Sequence, residues 1–179
     1  MIILQALYFA LPMYIANMAP VVVKKLALFD KPLDGGKTWG GKPILGKNKT
    51  WRGLFFALAF GLVVVCIQRK LFLTGGFWAG ISIFDYSSDQ TIMLGGLLAF
   101  GAILGDAVKS FAKRRINRPP GSMWFPFDQI DFVIGGLLLG SIVYWPGMAI
   151  ALILLVVTPI FHIGTNFIAY KLKIKDVPW

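Results

Sequence analysis

Residues 105–135 read G-D-A-V-K-S-F-A-K-R-R-I-N-R-P-P-G-S-M-W-F-P-F-D-Q-I-D-F-V-I-G. The stretch holds three of the chain's eight carboxylates, Asp106, Asp128 and Asp131. It also holds Lys109, Lys113, Arg114, Arg115 and Arg118, five of the eighteen basic residues. Apolar runs flank it at 91–105 and 132–145, only 15 and 14 residues long. A helix needs about 20 residues to cross a hydrocarbon core about 30 Å thick. Extending both runs to that length draws in 106–110 on one side and 127–131 on the other, which puts all three aspartates at one edge of a bilayer. An isolated Asp deep in a span costs about 2.5–3.5 kcal/mol on insertion scales, and ionisable groups there are usually functional. The carboxylates are hard oxygen ligands suited to Mg²⁺, and the basic side chains are the partners a polyphosphate requires. The stretch reads as a metal-dependent nucleotide site at a membrane surface.

Composition agrees. The 179 residues are 57% hydrophobic and 15% charged, with a mean hydropathy of +0.72. Soluble domains are about 45–50% apolar and about a quarter charged, so this is an integral membrane protein. A net charge of +10 would suggest nucleic acid in a soluble chain. Here it fits loops that face anionic headgroups together with an anionic substrate, and no nucleic-acid partner is expected. All eight acidic residues are Asp, and there is one Cys and one His. Thiolate-rich metal sites, disulfide frameworks and Cys–His dyads are thereby set aside. Cys66, in an apolar run, is expected to be a buried, inert thiol. The N-terminus lacks a basic n-region and an A-x-A site, so no cleaved signal peptide is expected.

The chain reads as an all-α, polytopic membrane protein, a single transmembrane domain over 1–179 with five spans at about 1–23, 54–73, 91–110, 127–145 and 148–170. Loops 24–53 and 111–126 lie on one side with the basic tail 171–179. Sixteen of the eighteen Lys and Arg fall on that side, leaving only Arg69 and Lys70 on the other. The positive-inside rule then sets the N-terminus outside, the C-terminus in the cytoplasm and the candidate site facing the cytoplasm. The segment 74–90, rich in Gly, Ser and Asp, reads as an outer connection. Trp39, Trp51, Trp124, Trp145 and Trp179 suit an aromatic belt.

Two constellations carry chemistry. Asp106, Ser110 and Lys113 fall at i, i+4 and i+7 on one helical face, and Asp128 and Asp131 share the first turn of the next helix. A turn through Pro119-Pro120-Gly121 brings the two faces together. Taken alone, Lys109, Lys113, Arg114 and Arg115 would be stop-transfer charges for headgroups; three boundary aspartates beside them favour a site. The second constellation is L-G-K-N-K-T-W-R-G at 45–53. Asn48 or Thr50 can cap the following helix, whose N-terminus favours anions, with Lys47, Lys49 and Arg52 beside it. It is not a Walker A motif, because it lacks the leading G-x-x-x-x and follows no strand. Asn17, in the N-M-A-P that ends the first span, stands between helix packing and a substrate role. With Arg118 and Ser122, it completes the candidate contacts to a second phosphate. His162 is read as an interhelical hydrogen-bonding residue.

S-F-A-K-R-R (110–115) followed by D-Q-I-D (128–131) resembles the signature of CDP-diacylglycerol synthases, which are membrane cytidylyltransferases. The five-span layout, L-G-K-N-K-T-W-R-G, and P-G-S-M-W-F-P-F-D-Q-I-D-F (120–132) are more similar to the archaeal branch, the CDP-archaeol synthases. The wider family's H-G-G is absent here, and Gln129 stands where its D-R-x-D has Arg. The resemblance implies transfer of CMP from CTP to unsaturated archaetidic acid, a digeranylgeranylglycerol ether phosphate, giving CDP-archaeol and pyrophosphate. It implies metal at Asp106, Asp128 and Asp131, as one or two Mg²⁺, and CTP held by residues 47–52 and by Lys113, Arg114 and Arg115. The partners expected are CTP, a lipid phosphate and membrane lipids, with a homodimer left open.

A lipid phosphate monoester is mostly dianionic at neutral pH, its second pKa lying near 6, so it needs no general base. Positioning and charge neutralisation suffice for in-line attack on the α-phosphate. Two other readings stand beside this one. A CDP-alcohol phosphotransferase would carry D-G-x-x-A-R and G-x-x-x-D-x-x-x-D, which are absent. A transporter or lipid-binding scaffold would set charges through the midplane rather than at one edge.

Overall fold

The computed structural model describes residues 1–119 and 122–173. Pro120 and Gly121 of the expected turn, and Trp179 with the tail from 174, lie outside the described residues. The elements in order are α1 (Ile2–Val22), β1 (Thr38–Trp39), β2 (Lys42–Pro43), α2 (Trp51–Leu73), α3 (Gly76–Ile81), α4 (Thr91–Arg115), α5 (Phe127–Gly140) and α6 (Met148–Lys171). Among the described residues, four helices are long and apolar enough to cross a membrane: α1, α2, α4 and α6. The fourth expected span, 127–145, forms only the 14 residues of α5, about 21 Å of helix. After Gly140 the chain turns instead, its carbonyl accepting from the N–H groups of Val143 and Tyr144 at 3.0 and 2.9 Å.

α1 is the central helix, touching α2, α3, α4, α5 and α6. Its Ala6, Phe9, Ala10, Met13 and Ala16 are buried. Pro12 and Pro20 lie inside it without ending it. Proline has no N–H to offer the carbonyl four residues back, so Tyr8 loses its helical donor at Pro12. Gln68 of α2, fully buried, replaces it by donating Nε2–H to the Tyr8 carbonyl at 2.6 Å. Two residues away on α2, Cys66 faces outward and is exposed. The expectation of a buried thiol is therefore corrected: the inward face of that turn is taken by Val65 and Gln68.

α4 and α5 pack antiparallel at very close range. A Cβ on Gly101 would collide with the carbonyl of Gly135, and one on Gly105 with the carbonyl of Asp131. Small residues four apart let two membrane helices approach backbone to backbone. At the opposite end of the bundle, Tyr86 packs edge-on against Phe84 and Tyr8, with ring centroids 5.3 and 6.1 Å away. The short helix α3 closes this end, which the sequence had left as an irregular connection.

The segment between α1 and α2 is folded back on itself. The backbone of Leu33 donates to Lys49 at 2.7 Å and that of Trp51 to Lys31 at 3.0 Å, and a two-residue hairpin (β1–β2) forms its tip. The carboxylate of Asp34 gathers the loop by accepting from the N–H groups of Leu45, Gly36 and Gly46 at 2.8, 2.9 and 3.2 Å. The hairpin docks on the C-terminus of α4. The Arg115 guanidinium donates to the carbonyls of Trp39, Lys42 and Pro43, while Lys42 Nζ donates to the carbonyl of Arg115 at 3.1 Å. The Trp39 ring stacks on Phe111 at 5.7 Å.

Candidate active site

The Gly101–Gly135 contact fixes α4 against α5 one turn from the aspartates. Asp106 follows Gly105 on α4, while Asp128 and Asp131 occupy the first turns of α5. The three carboxylates converge on one ammonium. Lys109 Nζ lies 3.1 Å from Asp106, 3.0 Å from Asp128 and 2.7 Å from Asp131. Lys113 adds a second bridge, 2.6 Å from Asp128 Oδ1 and also 2.6 Å from the Ser122 carbonyl. Lys49, from the folded loop, pairs with Asp106 on the other side. The cluster balances three carboxylates against three ammonium groups, with Asp131 and Lys113 among the most buried.

Further hydrogen bonds hold these side chains. The Phe132 N–H donates to Asp131 Oδ1 at 2.8 Å, and the Trp124 N–H donates to Asp128 Oδ2 at 2.5 Å. Arg118 donates to the Met123 carbonyl at 2.9 Å and lies over the Trp124 ring, while Ser122 donates to the Pro119 carbonyl at 2.9 Å. Arg118 and Ser122 thus shape the turn between α4 and α5. Of the two capping candidates, Thr50 caps α2 by accepting from the Gly53 N–H at 3.2 Å. Lys47 and Asn48 are exposed beside it, and Arg52 donates to the Leu26 carbonyl.

Other residues singled out from sequence are placed differently. Ser110 is buried and makes no hydrogen bond to the cluster among the described residues. Arg114 is buried too, and Arg115 is taken up by the hairpin carbonyls. Asn17 is half-buried on α1. His162 meets Asn166 through Nδ1 at 3.0 Å and the ring of Phe132 at 6.2 Å. Lys109, the hub of the cluster, is expected from sequence as a phosphate partner in this stretch, not as the shared counter-ion of the three aspartates. Its signal was in the spacing: Asp106, Lys109 and Lys113 fall at i, i+3 and i+7, one helical stripe.

Among the described residues no three His, Cys, Asp or Glu side chains stand close enough to hold a metal ion. The donor set nevertheless fits a hard divalent cation in chemistry. Three carboxylates already surround a single positive centre, at 2.7–3.1 Å. Mg²⁺ takes oxygen ligands at about 2.0–2.1 Å, so the carboxylates would have to draw in by about 1 Å and Lys109 shift aside.

The CDP-archaeol synthase family model, described as CarS-like, matches residues 1–179. The chain belongs to the CDP-archaeol synthase family. Relatives bearing that name share 39% identity in Pyrococcus furiosus and 39% in Thermococcus onnurineus, each over 99% of this chain and 98% and 97% of theirs. A solved structure of an intramembrane enzyme for archaeal membrane lipid biosynthesis superposes with a TM-score of 0.74 at 26% identity, covering 92% of this chain and 94% of that one. Membership in the family agrees with the resemblance carried by residues 45–53 and 110–132, and the apolar helices suit a multi-pass membrane enzyme.

Proposed function

We propose that this chain transfers CMP from CTP to the phosphate of a membrane lipid, unsaturated archaetidic acid, releasing pyrophosphate and forming CDP-archaeol. The observation that carries the proposal is the meeting of Asp106, Asp128 and Asp131 around one cationic centre, with Lys49 from the loop and Lys113 from α4 beside them. Family membership supports the same chemistry, since the relatives are named CDP-archaeol synthases.

The three aspartates would hold Mg²⁺, and possession of one such ion or two supplies the charge that phosphate oxygens need in nucleotidyl transfer. The chain's own groups do the rest. An oxygen of the lipid phosphate attacks the α-phosphorus of CTP, and the bond from that phosphorus to the α,β-bridging oxygen breaks. The electron pair leaves with pyrophosphate. No proton moves, because the lipid phosphate is already dianionic. Lys49, Lys113 and the Thr50-capped end of α2 favour the accumulating negative charge, and exposed Lys47 and Asn48 lie where a triphosphate would first meet the protein. With α5 read as a short fifth span, the distribution of Lys and Arg favours an N-terminus outside and these groups facing the cytoplasm.

Purified protein in lipid nanodiscs, given CTP, Mg²⁺ and the digeranylgeranylglycerol phosphate, is expected to release pyrophosphate and form a CDP-lipid in equal amounts. Release of pyrophosphate without a CDP-lipid, or no reaction, overturns the proposal. Replacing the ether lipid by a diacyl phosphate in the same assay tests the preference for ether tails.

A further inference from the structure

Residues 24–31, just after α1, read K-K-L-A-L-F-D-K. The segment turns its apolar side chains outward: Leu26, Leu28 and Phe29 are 43%, 55% and 62% exposed. Phe29 holds a left-handed backbone, φ 50°, a conformation that a bulky side chain rarely takes. The segment is nevertheless firmly tied. The Arg52 N–H donates to the Phe29 carbonyl at 2.7 Å and the Trp51 N–H to the Lys31 carbonyl at 3.0 Å. The Arg52 guanidinium donates to the Leu26 carbonyl. The Phe29 ring meets that of Phe55 on α2 at 5.9 Å, and Phe55 is itself exposed. An ordered, strained backbone thus leaves large apolar side chains facing out. Strain of this kind marks places where the presented side chain matters, and an exposed apolar patch with a polar rim marks an interaction surface.

Depth, continuity and charge identify what covers it. Lys49 pairs with Asp106, which reads as a membrane-edge residue, while Leu33 and Trp51 join the segment to 49–51 by backbone hydrogen bonds. The segment therefore lies level with the point where α2 enters the bilayer. Phe29 extends the exposed apolar surface of α2, which continues through Phe55 to Val63 and Ile67. Around it stand Lys24, Lys25 and Lys31, all exposed, with Asp30 the only carboxylate in the segment. Apolar side chains beside basic ones at an interface suit a layer of anionic headgroups.

We propose that residues 24–31 form an interfacial strap seated in the anionic headgroup layer, with Leu26, Leu28 and Phe29 dipping into the bilayer and the three lysines against lipid phosphates. The lipids it meets are those of the surrounding leaflet, not the reacting one. Because the strap is laddered to residues 49–52, lipid charge holds down the same stretch that carries Lys49 to Asp106. The seat of the strap stands on its own geometry; its effect on turnover rests on the reading of the cluster as a nucleotidyl-transfer site.

The seat is tested on the full chain in a C66A background, with an environment-sensitive nitrobenzoxadiazole dye attached at L28C. In nanodiscs of phosphatidylcholine mixed with phosphatidylglycerol, its emission is expected to be blue-shifted and protected from the neutral aqueous quencher acrylamide. Protection is expected to weaken in phosphatidylcholine alone and in high salt, which screens headgroup charge. Adding K24Q and K25Q should abolish the difference between the two lipids, and the same dye at K37C should stay accessible in both. Full quenching at residue 28 in both lipids overturns the strap. So does protection that is equal in both and indifferent to salt, as a contact between two copies of the chain would give. In the mixed nanodiscs, L28S combined with F29S is expected to raise KM for CTP about fivefold with kcat little changed, whereas V156S, on the exposed face of α6, leaves KM unchanged. An unchanged KM in the strap variant overturns the link to the site. A strap that is protected as expected in a protein that forms no CDP-lipid stands, and the proposed reaction falls instead.

Discussion

Lys109 is the residue on which the cluster depends. Its ammonium touches three carboxylates, and removing one partner of a buried ionic group typically costs about 3–5 kcal/mol. K109M is therefore expected to melt well below the unmodified protein in metal-free nanodiscs and to regain part of the loss when Mg²⁺ is added. Equal recovery with K⁺ alone would show that no divalent site forms. D131N removes one ligand oxygen and one partner of Lys109, so it is expected to lose at least a thousandfold in CDP-lipid formation and to melt lower than the parent while staying folded. Asp34, outside the membrane, offers a pH test. Burial by itself would raise its pKa, but three backbone N–H donors outweigh that and hold it below the ordinary carboxylate range. A depressed folded pKa stabilises the loop fully above the unfolded value, about 3.9, and the stabilisation is lost as pH falls through the lower folded value. A nitroxide at residue 37 should therefore stay immobile at neutral pH and gain mobility only in strong acid, whereas in D34A it is mobile throughout.

At the scale of elements, the close contact of α4 and α5 sets the separation of the aspartates. A side chain at Gly135 meets the backbone of Gly101 and Gly105, neither of which can give way. G135L is expected to lower stability by about 1–3 kcal/mol and to abolish turnover without touching any candidate ligand. A thermal melt and the CDP-lipid assay together check it. The Gln68 contact behaves differently, because its acceptor exists only through Pro12. Q68L should cost about 1–3 kcal/mol by leaving the Tyr8 carbonyl unpaired, and much less in a P12A background, where the helix supplies its own donor. A double-mutant cycle reads the difference. Much of this level was legible in advance. The apolar runs located the long helices, and Thr50 announced the start of α2. α4 continues past the expected span edge at 110, as the helical face through Asp106, Ser110 and Lys113 requires, and nothing breaks it before the left-handed Asn117, φ 61°. The hairpin on Arg115 was hidden because its partners are 72–76 residues away in the chain, beyond any local spacing rule. The three aspartates, by contrast, were legible from their cost in a membrane; Lys109 was legible as a cation for phosphate, but its place as the counter-ion of all three depends on how α4 and α5 meet, which no local spacing gives.

For the whole molecule, the proposed five-span arrangement, with α5 as a short span, makes an orientation prediction. In a C66A background, K37C should react with a membrane-impermeant thiol reagent only from the cytoplasmic side, and D85C only from the outer side. Labelling of both from one side would remove the proposed topology. The length of α5 adds something about depth. With Thr91 at the outer boundary, Asp106 lies about 22 Å along α4, and α5, of 14 residues, ends its rise at about the same level. The ion cluster would then sit roughly 8 Å below the inner surface of a 30 Å hydrocarbon slab. Headgroups and solvent must dip to meet it, leaving a local dimple in the inner leaflet. Thickening the surrounding lipid would fill that dimple with hydrocarbon at an energetic penalty, so the host membrane's own dimensions become a control on how easily the charged pocket stays wet.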